Sequence, residues 1–458
     1  MKIKKLTLLI LLFYMIAILF SCGVNRNHIN NGGIEINQKN GDFDYDYDQM
    51  DIDIENIVSI TPEYPQNISF DDYQGRNKVY ENNTVEQDFM NSVKSFAFTS
   101  AAKIFTDPKN NLKNTIYSPV SLYMALAVAS TGAENQTKNE MFNLLGVSGK
   151  DKNYLSRQTG NLFRILYFKN DIGSLQAANS LWMQNDWNFK SDFTDNAVKN
   201  FYSSIYNVDF KDKNTAKLMG KWVSDNTNGV IKPEIITDAE TILAILNTVY
   251  FKDEWLNEIH EDNTKKDKFY LDNKNKNKYV ECDFMQTYAN SYIKGDGFIS
   301  SYLGLKNGGR MIFILPDKDV KIDRLLNDWY KFDHVLSDEN SKFADVTFKI
   351  PKFSCGNKLD LKDVLISLGM EKAFDGKLAD FSAMTDDTAF ISDVKQETRV
   401  AIDEKGVEAA AFTSILYCGA AMPTEKINMV LDKPFIYLIT DRNNAILFMG
   451  VIYNPAEN

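Results

Sequence analysis

The chain has 458 residues, 44% of them hydrophobic and 25% charged, so most of it must fold around a core rather than stay disordered. Lys and Arg number 51 against 62 Asp and Glu, and the resulting net charge of −11 disfavours nucleic acid as a partner, because phosphate binding needs a concentrated basic surface. Three histidines (His28, His260, His334) leave little room for His-based metal or triad chemistry, and four cysteines (Cys22, Cys282, Cys355, Cys418) cannot build a disulfide framework for a chain this large.

Lys2, Lys4 and Lys5 precede an apolar run from Leu6 to Phe20, the charged n-region and greasy h-region of a signal peptide over residues 1–21. The run ends Leu19-Phe20-Ser21-Cys22-Gly23. A cysteine directly after a small residue there resembles a bacterial lipoprotein signal, which implies that Cys22 receives lipid and becomes the mature N-terminus. A plain signal peptide or short anchor with an incidental cysteine is the alternative. Cys282, Cys355 and Cys418 are then expected as free thiols, each behaving as a small hydrophobe. Residues 22–85 are rich in Asn and Asp, with Asn30-Asn31-Gly32-Gly33 and an alternating Asp–aromatic run from Asp42 to Asp48. Few large aliphatics are available and like charges repel, so a flexible tether is expected over 22–85. The Asp–aromatic run could instead form a strand or a binding peptide.

From Asp88 the pattern changes, and residues 86–458 read as one mixed domain. Phe89, Val93, Phe96, Ala97, Ala101 and Ile104 share one helical face. Asn114 to Tyr117 is strand-like, and Ser118-Pro119 offers an N-cap followed by a proline suited to the first turn. The helix beyond it, Val120 to Ser130, is apolar almost all round and must be buried. Ile242 to Phe251 suits a central strand covered on both faces. Arg310 to Pro316 and Asp345 to Pro351 are further strands, and Phe435 to Ile439 with Ile446 to Ile452 flank a hairpin turn at Asp441-Arg442-Asn443-Asn444. Helices and strands mix without a βαβ rhythm, which argues for α+β.

Enzyme chemistry finds no support. The chain lacks G-x-S-x-G, G-x-x-x-x-G-K, H-E-x-x-H and C-x-x-C, and His260 and His334 lie in charged, loop-like sequence.

One stretch is unusual. Asp403-Glu404-Lys405-Gly406-Val407-Glu408-Ala409-Ala410-Ala411-Phe412-Thr413-Ser414 leads into a mixed apolar and small-residue segment up to Pro423, then a polar run to Pro434. A connection this long is usually functional. Were Val407 to Thr413 a strand, Val407, Ala409, Ala411 and Thr413 would share one face, and Glu408, Ala410 and Phe412 the other. Glu404 to Ala411 resembles the hinge of the serpin family, the serine protease inhibitors. Asn114 to Ser121, Asn226 to Ile231, Asn247 to Lys252 with Trp255, Pro351 to Phe353, Asp432 to Ile436, Leu447 to Gly450 and Asn454-Pro455 are similar to that family in order and spacing, over residues 86–456.

The resemblance implies a serpin fold: three β-sheets, about nine helices, a metastable core and an exposed reactive-centre loop. It implies that a target serine protease attacks the loop and forms a covalent acyl complex, after which the cut loop inserts into the large sheet as a new strand. Family spacing puts the reactive bond at Ala420–Ala421. A methyl side chain suits elastase-like proteases, Tyr417 and Met422 suit chymotrypsin-like ones, and cysteine proteases are further candidates. No Arg or Lys lies between Phe412 and Thr424, so trypsin-like enzymes should be inhibited weakly. Ser118, Ser121, Asn247 and Gln396 match a polar cluster that controls sheet opening, and Trp255 matches a residue packed where the loop first enters. Gln396 stands where many members carry histidine and cannot titrate. No cofactor or metal is implied. A lipid-anchored monomer of the bacterial cell envelope, on the outer membrane or cell surface, is expected. The alternatives are a non-inhibitory serpin acting as substrate or ligand carrier, and a surface adhesion lipoprotein.

Overall fold

The computed structural model describes residues 38–39, 42–43, 57–237, 241–272, 276–407 and 425–457. It divides into two units, Met1–Asp44 and Tyr45–Asn458. In the first, Gln38–Lys39 pairs antiparallel with Asp42–Phe43. Cys22 and the signal segment lie outside the described residues.

The second unit starts earlier than the composition suggests. Strand β1 (Val58–Ile60) and helix α1 (Tyr73–Asn82) fall inside the stretch expected to be a tether, so regular structure is already present ahead of residue 86. Scattered aromatics override the polar average. Tyr64 stacks on Tyr167 with ring centroids 5.5 Å apart, and Asp72 caps α1 by accepting from the Gly75 amide at 2.8 Å.

The helices that follow are α2 (Gln87–Phe105), α3 (Pro119–Gly132), α4 (Asn135–Leu144), α5 (Lys152–Leu166), α6 (Ser191–Phe201), α7 (Lys213–Asn226), α8 (Ile322–Leu326) and α9 (Lys362–Ser367). Nine α-helices are therefore present among the described residues, as expected. Helix α3 is buried on every side except at Ala125, which explains its uninterrupted apolar sequence.

Strand β2 (Thr115–Tyr117) precedes α3. Next come β3 (Phe168–Lys169), β4 (Ser174–Gln184), β5 (Ser203–Val208), β6 (Leu243–Glu254), β7 (Thr264–Tyr270), β8 (Tyr279–Gly295), β9 (Phe298–Gly304) and β10 (Arg310–Pro316). The last are β11 (Lys342–Pro351), β12 (Phe353–Asp360), β13 (Lys395–Ile402), β14 (Gly406–Val407), β15 (Lys426–Val430), β16 (Phe435–Thr440) and β17 (Ile446–Ile452). The large sheet has the order β12-β13-β14-β6-β4-β5-β1, with β3 on β4. A second path runs β15-β11-β8-β9-β10-β16-β17-β2, with β7 on β8. Strand β8 pairs with β7 and β11 over most of its length and with β9 only from Ile293 to Gly295, so two strand groups meet along it. With the large sheet these make the three expected.

The β16–β17 turn forms as its sequence suggests. The Asp441 carboxylate accepts from the Asn443 and Ala445 amides at 2.9 and 2.7 Å, and Asn444 takes φ 63°, a conformation asparagine tolerates. Strand β6 departs from expectation. Leu243 to Asn247 are only half-buried, although the run reads as a strand covered on both faces. The cause is tertiary: among the described residues, one edge of β6 has no paired strand there.

Candidate functional site

Strands β6 and β13 are joined through just two residues. Val407 of β14 pairs with Ile402 on one side and Asp253 on the other, and Gly406 pairs with Glu254. Beyond that junction no strand among the described residues lies between β6 and β13. The seam opens onto a cavity of about 50 Å³. Its floor is α3, at Ser121, Ala125 and Ala129; its walls are Leu243, Ile245 and Asn247 of β6 and Val394, Lys395 and Gln396. Each edge of the seam offers a row of backbone donors and acceptors to an incoming strand.

The residues before the seam hold β14 in place. A methyl group at Gly406 would collide with the Asp253 carbonyl oxygen and lie 2.8 Å from Glu254 Cα, so only glycine allows this close approach. Asp403 organises the turn by accepting from the Lys405 and Gly406 amides at 2.8 and 3.2 Å. Trp255 is buried at 1% exposure, donates its indole N–H to the Asp403 carbonyl at 2.8 Å and its backbone N–H to the Lys405 carbonyl at 2.8 Å. The Glu404 carboxylate accepts from Lys352 Nζ and from the Thr264 hydroxyl, each at 2.8 Å. Burial works to raise the Glu404 pKa, but the Lys352 and Thr264 contacts outweigh it and hold the carboxyl below its ordinary value.

Asp253 is a second acidic residue at the junction. Its two carboxylate oxygens accept from the Asn307 backbone amide at 3.1 Å and side-chain amide at 2.9 Å. Burial nonetheless pushes its carboxyl up to about 7. Glu254 beside it forms a buried ion pair with Lys306.

Further down the seam sits a polar cluster. Gln396 and Ser118 bind reciprocally: the Ser118 amide donates to Gln396 Oε1 at 2.8 Å, and Gln396 Nε2 donates to the Ser118 carbonyl at 2.9 Å. The Ser118 hydroxyl donates to the Leu447 carbonyl at 2.8 Å. The Ser121 hydroxyl binds Asn247 Oδ1, and Asn247 Nδ2 donates to Asn179 Oδ1 at 2.6 Å. Asn179, on β4, in turn donates to the Phe201 carbonyl at 2.7 Å. The cluster thus ties β6 and β13 separately to the same buried helix.

Of the residues singled out by sequence, Ser118, Ser121, Asn247 and Gln396 come together beneath the seam. Trp255, Glu404, Gly406 and Val407 come together at its closed end. Glu408, Ala409, Ala410, Ala411, Thr413, Ala420 and Ala421 lie outside the described residues. Sequence reasoning missed Asn179, Asp253, Thr264, Asn307 and Lys352. Asp253, on the same strand as Asn247, was the one within reach, as an acidic residue ending an apolar strand. Cys282 and Cys355 are free thiols, and burial pushes both upward, to about 11 and about 12, so they are poor nucleophiles.

Three comparisons bear on this arrangement. A family model described as Serpin (serine protease inhibitor) matches residues 91–455. An uncharacterized serpin-like protein of Methanosarcina acetivorans is 30% identical over 382 residues, covering 80% of this chain and 88% of its own. Among solved structures, the thermophilic serpin tengpin in the native state superposes with a TM-score of 0.73 at 26% identity, covering 87% of this chain and 97% of tengpin. Thyroxine-binding globulin in complex with thyroxine superposes with a TM-score of 0.68 at 23% identity, over 82% of this chain and 100% of that one, a likeness of fold alone.

Proposed function

The chain belongs to the serpin family, and from that premise we propose that it traps serine endopeptidases as a suicide substrate, with elastase-like or chymotrypsin-like enzymes as targets. The observation that carries this reading is the seam with Val407 already seated at its end. A loop strand continuing from Val407 would keep its register with both neighbours. Each step of two residues along the loop then moves two back along β6 and two back along β13. Ala409 would meet Phe251 and Val400, Ala411 would meet Val249 and Thr398, and Thr413 would meet Asn247 and Gln396. Val400, Thr398 and Gln396 are all buried, so this is the inward face. The inward loop residues are small or branched and uncharged, as a central strand requires.

Attack on the Ala420 carbonyl would leave the protease esterified to the severed arm. Threading that arm into the seam adds ladder hydrogen bonds on both edges and covers the half-buried lower part of β6. The protease is carried with the arm before water can release it. The native form is therefore held by kinetics above a more stable inserted form. The run ending at Cys22 supports a lipid anchor that would hold the inhibitor at the cell envelope.

Incubation with pancreatic elastase and with chymotrypsin tests the reading. A heat-stable covalent band on a denaturing gel, with cleavage after Ala420, is the expected result. Clean cleavage without a complex would make the protein a substrate or carrier instead.

A further inference from the structure

A second cavity, of about 30 Å³, lies where the ends of β6 and β16 meet the turn after β9. Its apolar lining comes from α5, β3, β4 and β6; its polar lining is Asp253, Asn307, Thr440, Asp441 and Arg442, with Tyr80 of α1 beside them. We propose that this cavity is a monovalent cation site, that its ion is sodium, and that Asp253, Asp441 and Thr440 hold it. The site stands apart from the loop-insertion reading and involves no part of the reactive loop.

Thr440 is the decisive residue. It is fully buried, and its hydroxyl has no hydrogen-bond partner among the described residues. A buried hydroxyl left in that state costs free energy that a bound ligand recovers. Its position is fixed: Thr440 pairs with Arg310 on one side and Ile446 on the other, and a methyl group at Gly309 would collide with its carbonyl oxygen. The carboxylates are fixed as well. Asp253 Oδ1 accepts from the Glu254 amide and from Asn307 Nδ2, each at 2.9 Å, and Oδ2 accepts from the Asn307 amide at 3.1 Å. Asn307 is itself held by Asn170, whose Nδ2 donates to Asn307 Oδ1 at 2.8 Å. Asp441 Oδ1 takes the Asn443 and Ala445 amides, and Oδ2 takes Asn443 Nδ2 at 3.2 Å. A carboxylate offers about four lone-pair sites, so Oδ2 of each residue can still bind one more partner.

A water molecule would meet the hydrogen-bonding demand and leave the charge unmet. Glu254 and Lys306 form their own ion pair and cancel. Arg442 lies over the Tyr80 ring, 4.2 Å from the centroid, and Arg76 of α1 lies over the Phe70 and Tyr73 rings. Within the lining, two carboxylates therefore face the single positive charge of Arg442, and one monovalent cation completes the balance. Calcium takes about six to eight oxygens, more than these three side chains and a water supply. A water needs at least about 10–15 Å³, so the cavity takes one small ion with one water. Sodium fits that space better than the larger potassium ion.

The test is the melting temperature of the full-length protein at mildly alkaline pH and a fixed scan rate, in sodium, potassium, calcium or tetramethylammonium chloride. A site with a Kd of about 20 mM is about 90% filled at about 0.2 M sodium. Sodium should then raise the melting temperature about 2 °C above the value in tetramethylammonium chloride of equal concentration, and potassium by less than half as much. Thr440→Val keeps the side-chain shape and removes a hydroxyl that has no protein partner, so in tetramethylammonium it should melt no lower than wild type. It should nevertheless lose the sodium response, and Asp253→Asn should lose it too. Thr248→Val removes another buried, unpartnered hydroxyl, on β6 but outside this cavity, and should keep the response. Equal melting temperatures in sodium and tetramethylammonium, or a full sodium response in Thr440→Val, would overturn the site. A gain in potassium equal to that in sodium, or a gain in calcium alone, would overturn the assignment of the ion.

Discussion

Replacing Ala411 with arginine is the sharpest test of the insertion register. Val407 is seated inward at 1% exposure, and every second residue beyond it shares that face. Ala411 would sit between Val249 and Thr398, above the apolar floor of α3, and Thr398 is itself only 5% exposed. No acidic side chain lines the cavity beneath except Asp393. An arginine buried there without a close partner costs several kcal/mol even after relaxation. If half of a cost of about 4 kcal/mol is felt in the insertion transition state, insertion slows roughly 30-fold, since each 1.4 kcal/mol is a factor of ten. Deacylation is unaffected, so most encounters should end in release. The assay is a titration of elastase with the variant, counting molecules cleaved per protease trapped by gel densitometry. Wild type should need about one and Ala411→Arg tens, while Ala410→Arg, on the outward face, should behave like wild type. Trapping by Ala411→Arg at wild-type stoichiometry would refute the parity, and with it the register.

Gly406→Ala should expel β14 from the seam, because its methyl group collides with the Asp253 backbone. Losing burial of Val407 and its ladder bonds removes about 2–4 kcal/mol, so association with protease should persist while trapping becomes less efficient. Lys352→Ala leaves Glu404 without its cation; the side chains are 36% and 13% exposed, between surface and buried, so a loss of about 2 kcal/mol and a melting point lower by several degrees are expected in thermal scans. Asp253 gives a pH dependence. Its folded pKa is raised from 3.8 to about 7, so its stabilising contribution is full below the unfolded value and is lost as pH rises through about 7. Melting temperature should fall more steeply between about pH 4.5 and about pH 7 in wild type than in Asp253→Asn, and parallel curves would contradict the assignment.

Much of this molecule can be read from local pattern. Ser118-Pro119 followed by an apolar run gives the buried helix because a first-turn proline and an unbroken apolar run are local properties, although the Ser118 hydroxyl serves the Leu447 carbonyl and not the helix end. The hinge parity is likewise visible, since alternation within one strand needs no partner. The open seam is not visible, because Leu243 to Asn247 look like any central strand, and they are half-buried because no strand among the described residues pairs with that edge. The Glu404–Lys352 pair joins residues 52 positions apart, and nothing in either neighbourhood points to the other. Residues 57–85 were obscured by averaging: Tyr64 and Tyr80 anchor a stretch whose overall composition is that of a solvated linker.

The two-residue strand β14 has a kinetic meaning. A zipper whose slider is already engaged has no starting cost, and its travel has a fixed direction. On the insertion reading, the first pair of teeth below the slider, Phe251 and Val400, would meet only apolar resistance, and the second adds the Thr398 hydroxyl, bound to the Ile116 carbonyl. The third pair of teeth would meet Asn247 and Gln396, bound to Ser121 and Ser118, and there an inserting strand would have to wait until those bonds let go. On that reading, the delay between cutting and capture would be set three residue pairs along the track, away from the hinge.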